Sequence, residues 1–165
     1  MQLASARFPG FFDPARATFG VLASQWYPAV VVHTVLDELT RGLSADELQN
    51  LARKAADGIM SNTLRGVHRT VFATFVSPAR YLRHIETFWR LHYDTGSALV
   101  TARTPTEHHV IYRDWTSHHP FACQLNMASA LPIYSAMGCH HVAYKILGCV
   151  SRGQARCETE ISWSA

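Results

Sequence analysis

Cys149 and Cys157 stand four residues either side of Gly153, in the stretch Cys149-Val-Ser-Arg-Gly-Gln-Ala-Arg-Cys157. A β-hairpin folded about that glycine sets the two thiols opposite each other across the ladder. Facing Cβ atoms in such a ladder lie about 4.5–5.5 Å apart, so both sulfurs can reach one metal ion. Cys123, near the start of the helix that precedes the hairpin, adds a third thiol. A closed structural zinc site takes four ligands. The N-terminal residues Met1-Gln2-Leu3-Ala4-Ser5-Ala6-Arg7 lack the basic stretch and apolar core of a secretory signal. The expectation is a cytoplasmic chain in a reducing compartment, where a metal site or free thiols are favoured over disulfides. A Cys149–Cys157 disulfide is allowed by the geometry and disfavoured by the compartment.

Apolar residues make up 48% of the 165 positions and charged residues 16%, enough for a packed core in one domain. The net charge is +3, and its basic residues are scattered (Arg7, Arg41, Arg53, Arg80, Arg103, Arg113). No basic stripe exists for nucleic acid to follow. The longest apolar run, Ala29-Val30-Val31-Val32, is too short to cross a bilayer.

The order of elements reads as α+β. Residues 1–20, with Pro9, Gly10, Pro14 and Gly20 among phenylalanines, form an irregular segment, and 21–165 a single domain. A first helix starts at Pro28, carries Val31, Val35, Leu36 and Leu39 inward, and ends at Gly42. A second opens at the Ser44/Glu47 capping box, with Leu48, Leu51, Ala55 and Ile59 at helical spacing. A third spans about 62–76, and a fourth starts at Ser77-Pro78. After Gly96 the pattern becomes β-β-α-β-β: strands over 97–102 and 107–115, a helix over 121–137 bent at Pro132 and closed by Gly138, then strands over 140–150 and 155–163. Four helices followed by this unit predict an antiparallel sheet packed against helices.

Cys123, Gly138, Cys149, Gly153 and Cys157, in that order and spacing, resemble the C-terminal part of the four-vinyl-reductase (4VR) domain, best over residues 119–163. The phenol- and toluene-sensing input domains of some bacterial activators share the pattern. There, three cysteines and a glutamate hold zinc. The N-terminal half, with Trp26-Tyr27-Pro28 and Ser77-Pro78-Ala79-Arg80, resembles an uncharacterised bacterial family of the same fold, the ligand-binding domain of nitric-oxide signalling and Golgi transport proteins. The resemblance implies structural zinc on Cys123, Cys149 and Cys157. The family's glutamate position is Ile146 here. A fourth ligand must therefore come from elsewhere, with His118, His119, Cys139, His140 and Glu158 as candidates.

Ten histidines include the pairs His108-His109, His118-His119 and His140-His141, but neighbours on a strand point to opposite faces. No axial haem motif, HExxH, nucleophile elbow or nucleotide-binding glycine loop is present, so neither haem nor nucleotide is predicted and an enzyme is the least favoured of three readings. The favoured reading is a regulatory or sensor domain for a small apolar, aromatic or lipid-like molecule, with Trp89, His92, Trp115 and Tyr134 lining its pocket. It would act as a homodimer formed through the N-terminal segment and helices, or through a protein partner. The remaining reading is a scaffold of the trafficking-subunit type with no exchangeable ligand.

Overall fold

The computed structural model describes residues 26–63, 70 and 76–164 in full, and the backbone of 12–13 and 18–19. The chain divides into two compact units, Met1–Ser44 and Ala45–Ala165. In the first, strands β1 (Phe12–Asp13) and β2 (Thr18–Phe19) pair antiparallel; the rest of the predicted irregular segment lies outside the described residues. Helix α1 (Ala29–Thr40) follows Pro28, and Gly42 reverses the chain with φ +78°. Of its predicted stripe, Val31, Val35 and Leu36 are half-buried, whereas Leu39 is 66% exposed.

The second unit opens with α2 (Ala45–Thr63), which starts directly after Ser44. Asp46 and Glu47 lie in its first turn, where carboxylates are favoured by the helix dipole. Its most buried positions are Ala52 and Ala56, flanked by half-buried Leu48, Leu51 and Ala55, while Ile59 is exposed. The stripe is thus turned slightly from the predicted one, because two methyl side chains let α2 approach its neighbour closely. Most of the predicted third helix lies outside the described residues. Helix α3 (Pro78–Arg90) starts as its sequence predicts: Pro78 needs no N–H partner in the first turn, and Ser77 Oγ accepts from the Arg80 N–H at 3.3 Å.

Strands β3 (Ser97–Thr104), β4 (Glu107–Arg113), β5 (His140–Gly148) and β6 (Cys157–Ser164) form an open antiparallel sheet in the order β3-β4-β6-β5. The register aligns Ala98, Tyr112 and Cys157 across three strands, and Val100, Val110, Thr159 and Ile146 across four. Alternation puts these residues on one face with His108, Tyr144 and Ile161. The opposite face carries the ion pairs Arg103–Glu160 at 3.2 Å and His109–Glu158 at 3.0 Å. The observed class is the predicted one: helices first, then β-β-α-β-β with an antiparallel sheet.

Two local departures have clear causes. The helix expected over 121–137 is two helices, α4 (Pro120–Ala128) and α5 (Ala130–Ala136). The break falls at Ser129 and not at Pro132. Proline lacks the N–H that would bond the Ala128 carbonyl, and its ring crowds that carbonyl, so the interruption appears one turn upstream. The second strand ends at Arg113, short of Trp115. Asp114 takes φ +52° and turns the chain, so Tyr112 and Trp115 join the same cluster instead of pointing to opposite faces.

Candidate functional site

Three elements bring three thiols together. Cys123 sits in the first turn of α4, where His119 Nδ1 accepts the Phe121 N–H at 3.1 Å and caps the helix. Cys149 follows β5 and leads a single 3-10 turn, Val150–Arg152. Cys157 opens β6. Gly153 closes the turn with φ +81°, a conformation open to glycine without strain. The Gln154 side chain accepts from the Cys149 N–H at 2.6 Å, so the turn holds its own cysteine in place.

The Cys157 sulfur lies 3.7 Å from that of Cys149 and 3.8 Å from that of Cys123. All three side chains are 1% exposed. Zinc bonds sulfur at about 2.3 Å, so the edge of a tetrahedral site between two sulfurs is about 3.8 Å. The two separations from the Cys157 sulfur match that edge. The Val150 N–H donates to Cys157 Sγ at 3.3 Å, and Cys149 Sγ contacts Ser151 Oγ at 2.9 Å.

His118, in the loop before α4, places Nδ1 3.5 Å from Cys123 Sγ and 3.6 Å from Cys157 Sγ. The ligand atoms of His118, Cys123 and Cys157 all lie within 4.8 Å of one another. Burial lowers the pKa of His118, which favours the neutral imidazole that metals bind. Among the thiols, contacts from Cys123 and Cys157 pull Cys149 down to about 2. Contact with Cys149 pushes Cys123 up, and contacts with Cys123 and then Cys149 push Cys157 up. A divalent cation bound among these sulfurs would displace their protons.

The other candidate ligands are engaged elsewhere. His119 caps α4. Cys139 is buried in a second cluster with Tyr134 and Ile161. His140 is exposed at the start of β5. Glu158 pairs with Arg156 and His109 on the outer face of the sheet.

The thiols share a core cluster with Trp89, Ala98, Trp115 and Met127, with Tyr93, Tyr112, Tyr144 and Ile146 packed against it. Trp115 meets Trp89 edge-on at 5.5 Å and Tyr93 at 5.0 Å, and its ring lies 4.9 Å from that of His118. The Trp89 indole N–H donates to the Thr95 carbonyl at 2.9 Å. Among the described residues the buried Trp115 indole N–H has no partner, and neither does the amide nitrogen of Asn126, whose oxygen accepts from Tyr93 at 2.8 Å.

Of the four predicted pocket residues, Trp89 and Trp115 stand together. Tyr134 lies in the second cluster, where its hydroxyl is 2.6 Å from His108 Nδ1. His92 is exposed, with Nδ1 2.9 Å from the Phe88 carbonyl. A cleft of ≈ 290 Å³ opens between α2 and α5, lined by Asp57, Met60, Ser61, Leu131, Pro132, Ser135 and Ala136. None of the four predicted residues lines it. No sequence motif marks these positions; they are juxtaposed by helix packing.

No family model and no curated protein matches the chain. Solved structures do match in fold. An H-NOX protein from S. oneidensis, in its Fe(II)NO ligation state, aligns with TM-score 0.61 and 9% identity, covering 99% of this chain and 90% of the other. The phenol-responsive sensory domain of the transcription activator PoxR, solved with phenol, aligns with TM-score 0.58 and 12% identity, covering 99% and 90%. Trafficking protein particle complex subunit 3 from Naegleria fowleri, covalently bound to palmitic acid, aligns with TM-score 0.54 and 10% identity, covering 83% and 93%. The chain thus has the fold that sensory domains and a trafficking subunit share. Among the described residues no helix is long and apolar enough to cross a membrane.

Proposed function

We propose that this chain is a ligand-binding regulatory module of the 4VR kind. A structural zinc on Cys123, Cys149 and Cys157 braces its hairpin, and it binds a small apolar or aromatic molecule carrying one polar group. The observation that carries the ligand reading is the Trp115 indole N–H, unpartnered among the described residues, inside a ring of aromatic side chains. A buried donor left unpaired costs about 1–3 kcal/mol. An acceptor on a guest held among Trp89, Tyr93 and Trp115 would remove that cost, and the guest's apolar body would meet the rings. Binding shifts an equilibrium only through differential affinity for two states, and the expected output is a homodimer or a protein partner. Exposed Trp26, Val30 and Leu39 in and near α1 suit the dimer.

The printed ligands of two fold relatives, phenol and palmitic acid, define the first probes. Titration of tryptophan fluorescence with each should give a saturable change for one. The change should weaken about tenfold in Trp115→Phe, which loses the donor and keeps the ring, a loss of about 1.4 kcal/mol. No saturable change with either probe, together with no small molecule in the native mass spectrum, would remove this reading. The scaffold reading would then stand in its place. One observation favours that alternative: the nest is filled by its own rings, with Trp89 and Tyr93 centroids only 4.3 Å apart.

A further inference from the structure

The geometry points to His118 as the fourth ligand of the metal centre, making it a closed Cys3His site in which an imidazole from the β4–α4 loop replaces the carboxylate that β5 lacks. This inference rests on the zinc reading above and deepens it. Zinc bonds histidine nitrogen at about 2.0–2.1 Å and sulfur at about 2.3 Å, so a tetrahedral sulfur–nitrogen edge is about 3.6 Å. His118 Nδ1 meets that value twice, at 3.5 Å to Cys123 and 3.6 Å to Cys157. Two sulfur–sulfur edges meet their own ideal, at 3.7 and 3.8 Å. Four of the six edges of a tetrahedron thus have the lengths that two different bond types demand; Cys149 joins through its edge to Cys157, outside the set of His118, Cys123 and Cys157 whose ligand atoms all lie within 4.8 Å of one another.

Ile146 stands at the position where the resembled family has its glutamate. It pairs with Thr159 in the ladder and packs against the sulfur cluster as an apolar side chain. The imidazole comes instead from the loop that Asp114 turns, with Trp115 packed on its ring. Three thiolates, a zinc dication and a neutral imidazole carry a net charge of −1, against −2 with a carboxylate. A smaller buried charge is cheaper in a nest of aromatic rings. Closure by four protein ligands leaves no open position, so the site's role is structural. Binding releases thiol protons to solvent and involves no redox change. His118 also joins the β4–α4 loop to the hairpin, so the metal ties the aromatic nest to the sheet edge.

The test uses the full chain loaded with cadmium-113 in place of zinc, with nitrogen-15 in its histidines. Scalar coupling between the metal and Nδ1 of one histidine is expected in the wild type. It should vanish in His118→Ala, whose zinc affinity by chelator competition should fall at least about tenfold, the lower bound expected for loss of a supporting group at a metal site. Ile146→Glu added to His118→Ala should recover affinity by returning a carboxylate from β5. Zinc bound by the wild type and lost in Cys123→Ser, but held with full affinity in His118→Ala and with no metal–nitrogen coupling, would overturn the assignment and leave the three-thiol reading intact. A wild type that binds neither metal would overturn both. The coupling in the wild type is read without any variant, so a misfolded mutant does not blunt the test.

Discussion

Gly96 and Gly153 both take positive φ, at +70° and +81°, yet they differ in their surroundings. A Cβ on Gly153 would meet nothing within 4 Å, whereas one on Gly96 would lie 2.6 Å from the Arg113 carbonyl and from the backbone of Trp115. Gly153→Ala should therefore cost about 1–2 kcal/mol, the left-handed penalty. Gly96→Ala should cost more than about 3 kcal/mol, since backbone on the aromatic loop must move as well. Urea denaturation of the two variants checks the order; equal losses would contradict it. His108 gives the pH prediction at this scale. It is 2% exposed, burial lowers its pKa, and burial raises that of Tyr134, so the phenol donates to a neutral imidazole. The unfolded chain takes up that proton near pH 6.5 and the folded chain at lower pH. Stability from this pair is fully present above pH 6.5 and is lost as pH falls through the lowered folded value. Urea midpoints at pH 7.5 and 5.5 should fall by less in His108→Gln than in the wild type; an equal fall would contradict the assignment. Residue identity alone disclosed the cysteine set, because three thiols flanking a helix start and a glycine hairpin form a pattern in the chain itself. It left five candidates for the fourth ligand, because the place of His118 depends on the turn at Asp114 and on how α4 docks.

At the scale of elements, local signals worked where chemistry is local. Ser77-Pro78 predicted the start of α3, Gly42 the end of α1, and the Gly153 hairpin the β5–β6 pair. They missed where the effect acts at a distance along the chain. Pro132 interrupts the helix one turn upstream, at Ser129, beside the Ala128 carbonyl it cannot bond, and the buried stripe of α2 turns onto Ala52 and Ala56 because their small side chains allow close approach to the neighbouring helix. The metal should hold the hairpin and the β4–α4 loop as one element. Chelation with a strong zinc chelator should therefore speed amide exchange at residues 115–123 and 149–157 together while leaving β3 and the centre of α2 protected. Exchange confined to the hairpin would show that His118 does not tie the loop. Tryptophan emission should shift on the same treatment, since Trp115 packs against the His118 ring.

For the whole molecule, the α+β class and the antiparallel sheet were legible because the hydrophobic period changes after Gly96. The strand order was not: β6 enters between β4 and β5, and nothing in a single strand's pattern names its neighbour. The site inherits this topology. Register sets Cys157 beside Tyr112 at the end of the sheet, so the thiol cluster and the aromatic nest share one wall, and a guest in the nest would press on the element that a bound metal would brace. Zinc analysis of the full chain, purified under reducing conditions with no metal added, tests the presence of that metal directly. One zinc per chain is expected, lost when any of Cys123, Cys149 or Cys157 becomes serine; a metal-free, folded protein with three freely titrating thiols would contradict the zinc reading.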